Sequence, residues 1–302
     1  MNIEKLFCSI DTHVGGEAFR IVIQSSIALI GNDVQSNQKD LADNFENEKK
    51  LLLNEPRGHR GMNGCIIAPS KVADFQLLFF NHECTNDFKY EALFAATTAL
   101  IETGNLKRTT NDFYNVETMN GIYTVHANVE NQEVISVYLE GISCSVIASS
   151  QDSIEVSLDA SRKYLIYPLP NTISGIELDQ LAAISNWGIA KTSELIQENI
   201  DFNGVILVEE FSGKVRSVTF EKDGYILRSP GIDSTCAIHT SINLTEYKYE
   251  IENESIFGSS LTTKLQYENE SIFSIKAVPF VTGSHEFIFD TEDPLKEGFI
   301  LA

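Results

Sequence analysis

The stretch LFCSIDTHVGGEAFRIVI at residues 6–23 holds two short apolar segments on either side of a glycine pair. The segments 6–11 and 19–23 are rich in the β-branched and aromatic residues that favour strands. Gly15 and Gly16 between them supply a tight reversal of the chain. The stretch therefore predicts an antiparallel hairpin close to the start of the chain.

Similar signals recur along the rest of the chain. Strands are predicted at 64–68, 75–80, 123–126, 134–138, 204–208, 216–220, 225–227, 272–275 and 286–289. Helices are predicted at 37–53, ended by Pro56, at 90–103, stopped by Gly104, and at 177–186 and 236–244. Two helix openings, near Lys89 and Gly231, lie about half of the 302-residue chain apart. This spacing is what a duplicated α+β domain produces.

The composition is that of a folded globular protein, with 43% hydrophobic and 10% aromatic residues. No run of residues approaches the roughly 18–20 apolar residues that a membrane span needs. Residues 1–5 contain an acidic residue and no apolar leader, so a cytoplasmic location is expected.

The chain is strongly acidic, with a formal net charge of −21 from 43 acidic and 22 basic residues. Nucleic acid and membrane surfaces are therefore not expected as partners, because phosphate groups are bound by Lys and Arg. An anionic substrate must be held by local donors that work against an unfavourable overall field.

The cysteines predict neither a zinc site nor a disulfide framework. Their number is odd, their positions are scattered, and no C-x-x-C pair or cysteine–histidine cluster is present. Buried free thiols are expected instead. The five cysteines are Cys8, Cys65, Cys84, Cys144 and Cys236.

Four stretches, which together run from one end of the chain to the other, resemble the motifs of one enzyme family. They are residues 11–17 with 20–22, residues 55–59 with Met62 and Gly64, residues 254–259, and residues 282–285 with 290–299. On these motifs the chain resembles the proline racemase-like family. That family comprises proline racemase, 4-hydroxyproline 2-epimerase and trans-3-hydroxyproline dehydratase.

The resemblance implies an α+β fold of two pseudo-symmetric diaminopimelate epimerase-like domains, with the site in the cleft between them. The predicted domains are residues 1–120 plus 284–302 and residues 121–283. The resemblance also implies a cofactor-independent reaction that uses neither pyridoxal phosphate nor a metal. Because family members often pair, it further implies a homodimer.

In the family, two groups face each other across the α-carbon of the substrate, and backbone N–H groups at two helix openings hold its carboxylate. Racemases and epimerases use two cysteines there, whereas dehydratases use Ser or Thr at the first position and Thr at the second. Here Lys89 and Gly231 stand at these positions, and Glu91 and Leu227 replace a neighbouring histidine and aspartate. Racemisation by two cysteines is therefore not expected.

Cys84 and Cys236 lie near these motifs but five positions out of register. The catalytic role of the family's cysteines is therefore not carried over to either of them.

Lys89 and Glu91 are the predicted catalytic residues. Lys89 can act as a base where burial favours the neutral amine, or it can form a Schiff base with a carbonyl substrate. Glu91 tends to keep Lys89 charged, which opposes both roles, but Glu91 can itself be the base while Lys89 binds the carboxylate. The alternative is an ordinary exposed ion pair between the two residues at the start of a helix.

Further residues are predicted from the matched motifs. The substrate-binding set is Tyr90, His59, Gly231, Ile232, Asp233, Leu227 and His285. Structural hydrogen bonding is the expected role of most polar motif residues in the first domain, namely Asp11, His13, Glu17, Arg20 and Arg57. Asp233 and Thr235 are expected to cap the second helix in preference to a catalytic role.

Three functions remain open from the sequence. The first is a cofactor-independent lyase or isomerase that acts at the α-carbon of an amino acid or related small carboxylate by one-base chemistry. The second is a pseudoenzyme that binds a small carboxylate or a partner protein. The third and weakest is proline racemase or hydroxyproline epimerase activity, which the residues at the two positions contradict.

Overall fold

A computed structural model of the chain describes residues 3–25, 27, 29, 31, 33–82, 88–211, 214–267 and 270–301. Cys84 lies outside the described residues. Contacts along the chain define two compact units, Met1–Val137 with Val278–Ala302, and Tyr138–Ala277.

The elements follow one another in this order. The chain begins with β1 (Ile3–Val14), β2 (Glu17–Ser25), α1 (Val34–Asn44), α2 (Glu46–Leu53), β3 (Met62–Ala68), β4 (Phe75–Phe80), α3 (Tyr90–Glu102), β5 (Phe113–Thr118), β6 (Gly121–Glu130) and β7 (Glu133–Ser149). It continues with β8 (Ile154–Leu158), β9 (Arg162–Pro168), α4 (Leu181–Gln197), β10 (Gly204–Phe211), β11 (Lys214–Phe220), α5 (Ile232–Ile242), β12 (Glu250–Ser255), β13 (Ser260–Tyr267), β14 (Glu270–Ala277) and β15 (Pro279–Asp290).

In the first unit, the strands are ordered β6-β5-β4-β3-β2-β1-β15. β1 and β2 pair antiparallel around Gly15 and Gly16, both of which have positive φ, so the predicted hairpin is confirmed. α3 packs against β1, β2 and β15. Every residue from Tyr90 to Leu100 is buried, including the polar residues Glu91, Thr97 and Thr98. This helix is the centre of the unit.

The remaining helices of this unit differ from the prediction of one helix at 37–53. Asp33 caps α1 by accepting a hydrogen bond from the Ser36 backbone N–H at 2.8 Å. Phe45 then interrupts the helix with φ −121° and ψ 34°, and its side chain packs against the apolar core that Leu51 and Leu53 help to build. The packing of this partly buried ring against the core accounts for the break.

In the second unit, the strands are ordered β14-β13-β12-β11-β10-β9-β8-β7. α4 packs against β10 and β11, and α5 packs against β8, β9 and β13. The core beneath α4 joins Ile184 and Leu195 to Leu207 and Phe220.

Three predictions in this unit needed correction. α4 extends to Gln197 because Ile184, Gly188, Thr192 and Leu195 form one buried stripe at helical spacing beyond residue 186. α5 begins at Ile232, four residues before the predicted start. Residues 225–227 form a single bridge, between Ile226 and Phe220, in place of a strand.

The division into compact units falls inside β7 and just before β15, and the domain limits predicted at residues 120 and 283 stay a prediction. A long strand that runs through the division carries no turn or linker signal in its sequence. None of the described helices is long and apolar enough to cross a membrane.

Gly64 of β3 provides a test of the packing beneath the first unit's sheet. A Cβ built at Gly64 lies 2.2 Å from the ring of Phe80. Gly64→Ala is therefore expected to lower the free energy of unfolding by about 1–3 kcal/mol through overpacking. Gly175→Ala is the control, because its Cβ meets no atom closer than 3.7 Å, and it should change stability by less than about 0.5 kcal/mol. Urea unfolding that gives equal values for both variants would contradict this packing.

Candidate functional site

Lys89 immediately precedes the first turn of α3. Its backbone is extended, with φ −120° and ψ 130°, and its carbonyl accepts a hydrogen bond from the Ala92 N–H at 3.1 Å. Lysine is a poor N-cap because its side chain has no acceptor for the orphan N–H groups of the helix. The side chain of Lys89 makes no such capping bond. Its placement here is therefore not explained by helix stability.

The ammonium group of Lys89 contacts a carboxylate at the start of β2. Lys89 Nζ lies 2.8 Å from Glu17 Oε1, and the two side chains are only 16% and 6% exposed. Asn63 of β3 donates from Nδ2 to the same carboxylate oxygen at 2.9 Å and to the Ala18 carbonyl at 3.2 Å. Glu17 is therefore fixed from β3 while it holds Lys89, and the parallel β2–β3 pairing brings Asn63 alongside it.

Glu91 lies in the first turn of α3 and is 5% exposed. A carboxylate in this position interacts favourably with the positive end of the helix dipole. The alternative of an ordinary exposed ion pair between Lys89 and Glu91 is wrong in one respect, because Glu91 is buried and Lys89 pairs with Glu17. The start of α3 therefore has a buried Lys89–Glu17 ion pair and a buried carboxylate, Glu91, in its first turn.

Aromatic rings pack around the same helix start. Phe88 stacks on Tyr123 with ring centroids 5.1 Å apart, and Tyr90 meets both rings edge-on at 5.1 and 5.6 Å. Tyr90 is 2% exposed. These contacts anchor the backbone on both sides of Lys89, and the role of Tyr90 in substrate binding stays a prediction.

The predicted structural role of the polar motif residues is seen most clearly in Arg20 and Asp11. Arg20 donates to both Asp11 oxygens, from Nε at 3.0 Å and from Nη2 at 2.7 Å, and its guanidinium lies over the ring of Phe287. His285 Nε2 lies 3.4 Å from Asp11 Oδ2, and the His285 side chain is 47% exposed. His285 therefore approaches the buried ion pair from its solvent side.

His59 lies in the loop between α2 and β3. Its Nδ1 accepts a hydrogen bond from the Gly61 N–H at 3.1 Å, and its carbonyl is 3.0 Å from His82 Nε2. Burial lowers the pKa of His82, which favours a neutral imidazole. Both contacts fix the loop, and a contact of His59 with substrate stays a prediction.

Gly231 is the N-cap of α5, in the second unit. Its backbone has φ +74° and ψ 128°, a combination that residues with a Cβ rarely adopt. A Cβ at this position also lies 3.0 Å from Ser234 Oγ. The Gly231 carbonyl accepts hydrogen bonds from both Thr235 N–H and Thr235 Oγ1, at 2.9 and 2.6 Å. The local conformation therefore requires glycine.

Asp233 lies in the first turn of α5, and its predicted capping role is wrong. Its Oδ2 accepts hydrogen bonds from Arg162 Nη1 at 2.5 Å and from Tyr164 Oη at 2.6 Å, both on β9. Arg162 Nη2 also donates to Asp159 at 2.9 Å. Thr235 is likewise no cap, because its hydroxyl donates back to Gly231. Strong charge-assisted partners on the sheet draw Asp233 away from the helix N–H groups.

The other two residues that are predicted near the start of α5 are Ile232 and Leu227. Ile232 is fully buried, and Leu227 is partly buried and donates its backbone N–H to the Thr219 carbonyl at 2.9 Å. Sequence reasoning missed Arg162 and Tyr164, which lie 71 and 69 residues before Asp233. No local motif marks a contact over that distance.

The described cysteines are free thiols, as predicted, but Cys8 is only partly buried. Cys65 and Cys236 are completely buried, and burial raises the pKa of each thiol, with Cys144 as a further cause at Cys236. High pKa values make both thiols poor nucleophiles. Across the residues that the structure describes, no group of three or more His, Cys, Asp or Glu side chains is arranged to hold a metal ion.

Comparison with known proteins identifies the family. Residues 9–159 match the proline racemase family. This chain belongs to the proline racemase family. Trans-3-hydroxy-L-proline dehydratase of Bacillus thuringiensis subsp. konkukian is 28% identical, with 100% of both chains covered. Proline racemase of Acetoanaerobium sticklandii is also 28% identical, with 99% of both chains covered.

The fold agrees with that of solved proline racemase family structures. A hydroxyproline epimerase from Agrobacterium vitis, with bound trans-4-hydroxy-L-proline, superposes with a TM-score of 0.82 at 21% identity. It covers 100% of this chain and 96% of the epimerase chain. The predicted class, an α+β chain with two epimerase-like domains, is therefore confirmed.

The strength of the Lys89–Glu17 contact can be measured by a double-mutant cycle. Lys89→Met, Glu17→Gln and the double variant should give a coupling energy of about 1–3 kcal/mol, because both side chains are largely buried. The Lys191–Glu194 pair has the same 2.8 Å separation on an exposed helix face and should give about 0.3–0.5 kcal/mol. A Lys89–Glu17 coupling no larger than this control would show that the contact is only a surface pair.

The positive φ of Gly231 leads to a second prediction. Gly231→Cys should lower the free energy of unfolding by about 1–3 kcal/mol, because a side chain is strained at positive φ. Arg228→Cys adds the same thiol at an exposed position three residues earlier and should be nearly neutral. Equal stability of the two variants in thermal unfolding would show that residue 231 accepts a side chain readily.

Proposed function

We propose that this protein is a cofactor-independent lyase or isomerase that acts at the α-carbon of an amino acid or related small carboxylate by one-base chemistry. The supporting observation is the buried Lys89–Glu17 contact at the start of α3, with Glu91 two residues further on. The known relatives, a dehydratase and a racemase, belong to the same two reaction classes.

In this proposal Lys89 is the group that holds the substrate carboxylate. A lysine ammonium has three N–H donors, and Glu17 takes one of them in the 2.8 Å contact. When the α-proton leaves, negative charge develops on the carboxylate as an enediolate forms. A fixed ammonium stabilises that charge better than mobile water does, because it does not reorganise during the reaction.

Glu91 is the base that takes the α-proton. It lies close to Lys89 in sequence and is buried in the first turn of α3, where solvent competes weakly for its carboxylate. A carboxylate is strong enough for this step only when the resulting carbanion is stabilised, which is the part assigned to Lys89. In this proposal the two residues act together at the start of α3.

One-sided chemistry is favoured because the second position of the family resemblance carries no side chain. Gly231 offers no group that can deliver a proton, and its positive φ disfavours one. Elimination of a β-substituent or a proton shift needs a single base, whereas racemisation needs a proton donor on the opposite face. Two-cysteine proline racemase and hydroxyproline epimerase activities are therefore not proposed.

The substrate class follows from the relatives. The names of the two proteins compared above contain trans-3-hydroxy-L-proline and proline, and the epimerase structure holds trans-4-hydroxy-L-proline. These three compounds are the first panel to test, followed by acyclic β-hydroxy amino acids. A homodimer and a cytoplasmic location stay predictions.

The experiment is α-proton exchange in deuterium oxide, followed by proton NMR over the substrate panel. At least one compound should lose its α-proton signal or release water in the presence of the wild-type protein. Binding without exchange or product across the whole panel would favour a pseudoenzyme and overturn the proposal.

Three variants separate the roles of the two residues. Glu91→Gln should reduce exchange at least about 100-fold, because the base is removed while its shape is kept. Lys89→Met should cause a similar loss, whereas Lys89→Arg should keep a measurable part of the rate, because arginine retains the charge and cannot act as a base. If Lys89→Arg is as inactive as Lys89→Met and Glu91→Gln is active, Lys89 is the base and the assignment is reversed. Lys191→Met is the control for lost positive charge and should leave the rate unchanged.

A further inference from the structure

A cavity lies in the second unit, away from the start of α5. It has a volume of about 480 Å³ and opens beside the C-terminal end of α5, where Ser241, Ile242 and Thr245 contribute to its wall. This volume is in the range of small-molecule sites in proteins. None of the residues proposed above for the reaction lines this cavity.

The floor of the cavity is aliphatic. Ile154 and Ile166 are paired across β8 and β9, Val208 follows on β10, and Ile238 closes the cavity from α5. Ile166 and Ile238 are almost completely buried apart from this surface. Such walls favour a compact aliphatic group of a ligand, because that group needs neither a stacking partner nor a hydrogen bond.

The charged residues of the lining are acidic, and they lie among neutral polar residues such as Gln151, Ser153 and Ser241. Asp152, in the turn between β7 and β8, and Glu210, near the end of β10, both line the cavity and are exposed to solvent. Glu210 lies on the same face of β10 as Val208, because side chains alternate along a strand. Glu209 points to the other face, where it accepts a hydrogen bond from the Ile176 N–H at 2.9 Å.

Two further features give the site a negative potential. The C-terminal end of α5 carries the negative end of the helix dipole. No Lys, Arg or His is among the described residues that line the cavity. The net charge of −21 for the whole chain acts in the same direction.

From the combination of an aliphatic floor, two rim carboxylates and the end of a helix, we infer that this cavity binds an organic ammonium ion with a compact aliphatic body. The aliphatic part enters between β9 and α5, and the ammonium group stays at the rim near Asp152 and Glu210. This site is separate from the proposed reaction and does not depend on it.

The test uses three adamantane derivatives of the same shape: 1-adamantylammonium, 1-adamantanol and 1-adamantanecarboxylate. Binding to the full chain is followed by NMR of isoleucine methyl groups. The methyl signals of Ile154, Ile166, Ile238 and Ile242 should shift with a saturable dependence on 1-adamantylammonium. The Kd should be about 1 mM or tighter, and at least about tenfold weaker for the carboxylate.

Two variants and a control locate the site. Glu210→Gln should weaken 1-adamantylammonium binding about five- to tenfold, and Thr245→Trp should abolish it by filling the entrance. Glu130→Gln removes the same charge from an exposed position in the first unit and should leave the Kd unchanged. Absence of saturable shifts up to about 10 mM, equal binding of the carboxylate, or unchanged binding in Thr245→Trp would overturn the inference.

Discussion

The contact between Lys89 and Glu17 is the interaction on which the candidate site depends. It joins the first residue before α3 to the first residue of β2, and Asn63 of β3 fixes the carboxylate in place. Burying an ion pair is costly unless the geometry is good and further hydrogen bonds satisfy the groups. The Asn63 amide supplies such a bond. Lys89 makes no capping bond to the helix, so its contribution to stability is the pairing with Glu17.

The other helix start is organised in the opposite way. At α5 the carboxylate of Asp233 is held by groups of the same unit, since Arg162 bridges Asp233 and Asp159 while Tyr164 adds a hydroxyl bond. Gly231 has a backbone conformation that excludes most side chains. An ionisable group that is ready for proton transfer is therefore proposed only at α3. This contrast is the physical basis on which we propose one-base chemistry for this chain.

Much of the fold could be predicted from the sequence, because its signals are local. The glycine pair at residues 15–16 marks the first hairpin, and the alanine-rich pattern up to Gly104 marks α3. The break at Phe45 could not be predicted, since the helical spacing of apolar residues continues through it and only tertiary packing of the ring explains it. The bridge between Ile226 and Phe220 likewise depends on the pairing of β11, and the local sequence carries no signal for that pairing.

The sequence predicts which positions form the candidate site, and these positions stay a prediction, but it does not predict their contacts. Alignment with the family motifs points to Lys89, Glu91, Gly231 and Asp233. From the sequence, Glu17 is expected to have only a structural role. The partner of Lys89 lies 72 residues away in the sequence, and the partners of Asp233 lie about as far. Charge pairing over such distances is decided by sheet register, which brings β2 and β3 under the start of α3. The polar contacts at the start of α3 and at the start of α5 therefore result from the tertiary fold.

The most direct test of the central claim is the stereochemical course of α-proton exchange. The turnover-competent amino acid is incubated with the protein in deuterium oxide, and the enantiomers or epimers are then separated and their deuterium content is measured. One-base chemistry predicts that deuterium enters the starting stereoisomer, or that product forms by elimination, with no accumulation of the opposite stereoisomer. Accumulation of the opposite stereoisomer carrying deuterium at the α-carbon would contradict the account, because it requires a second proton donor on the other face.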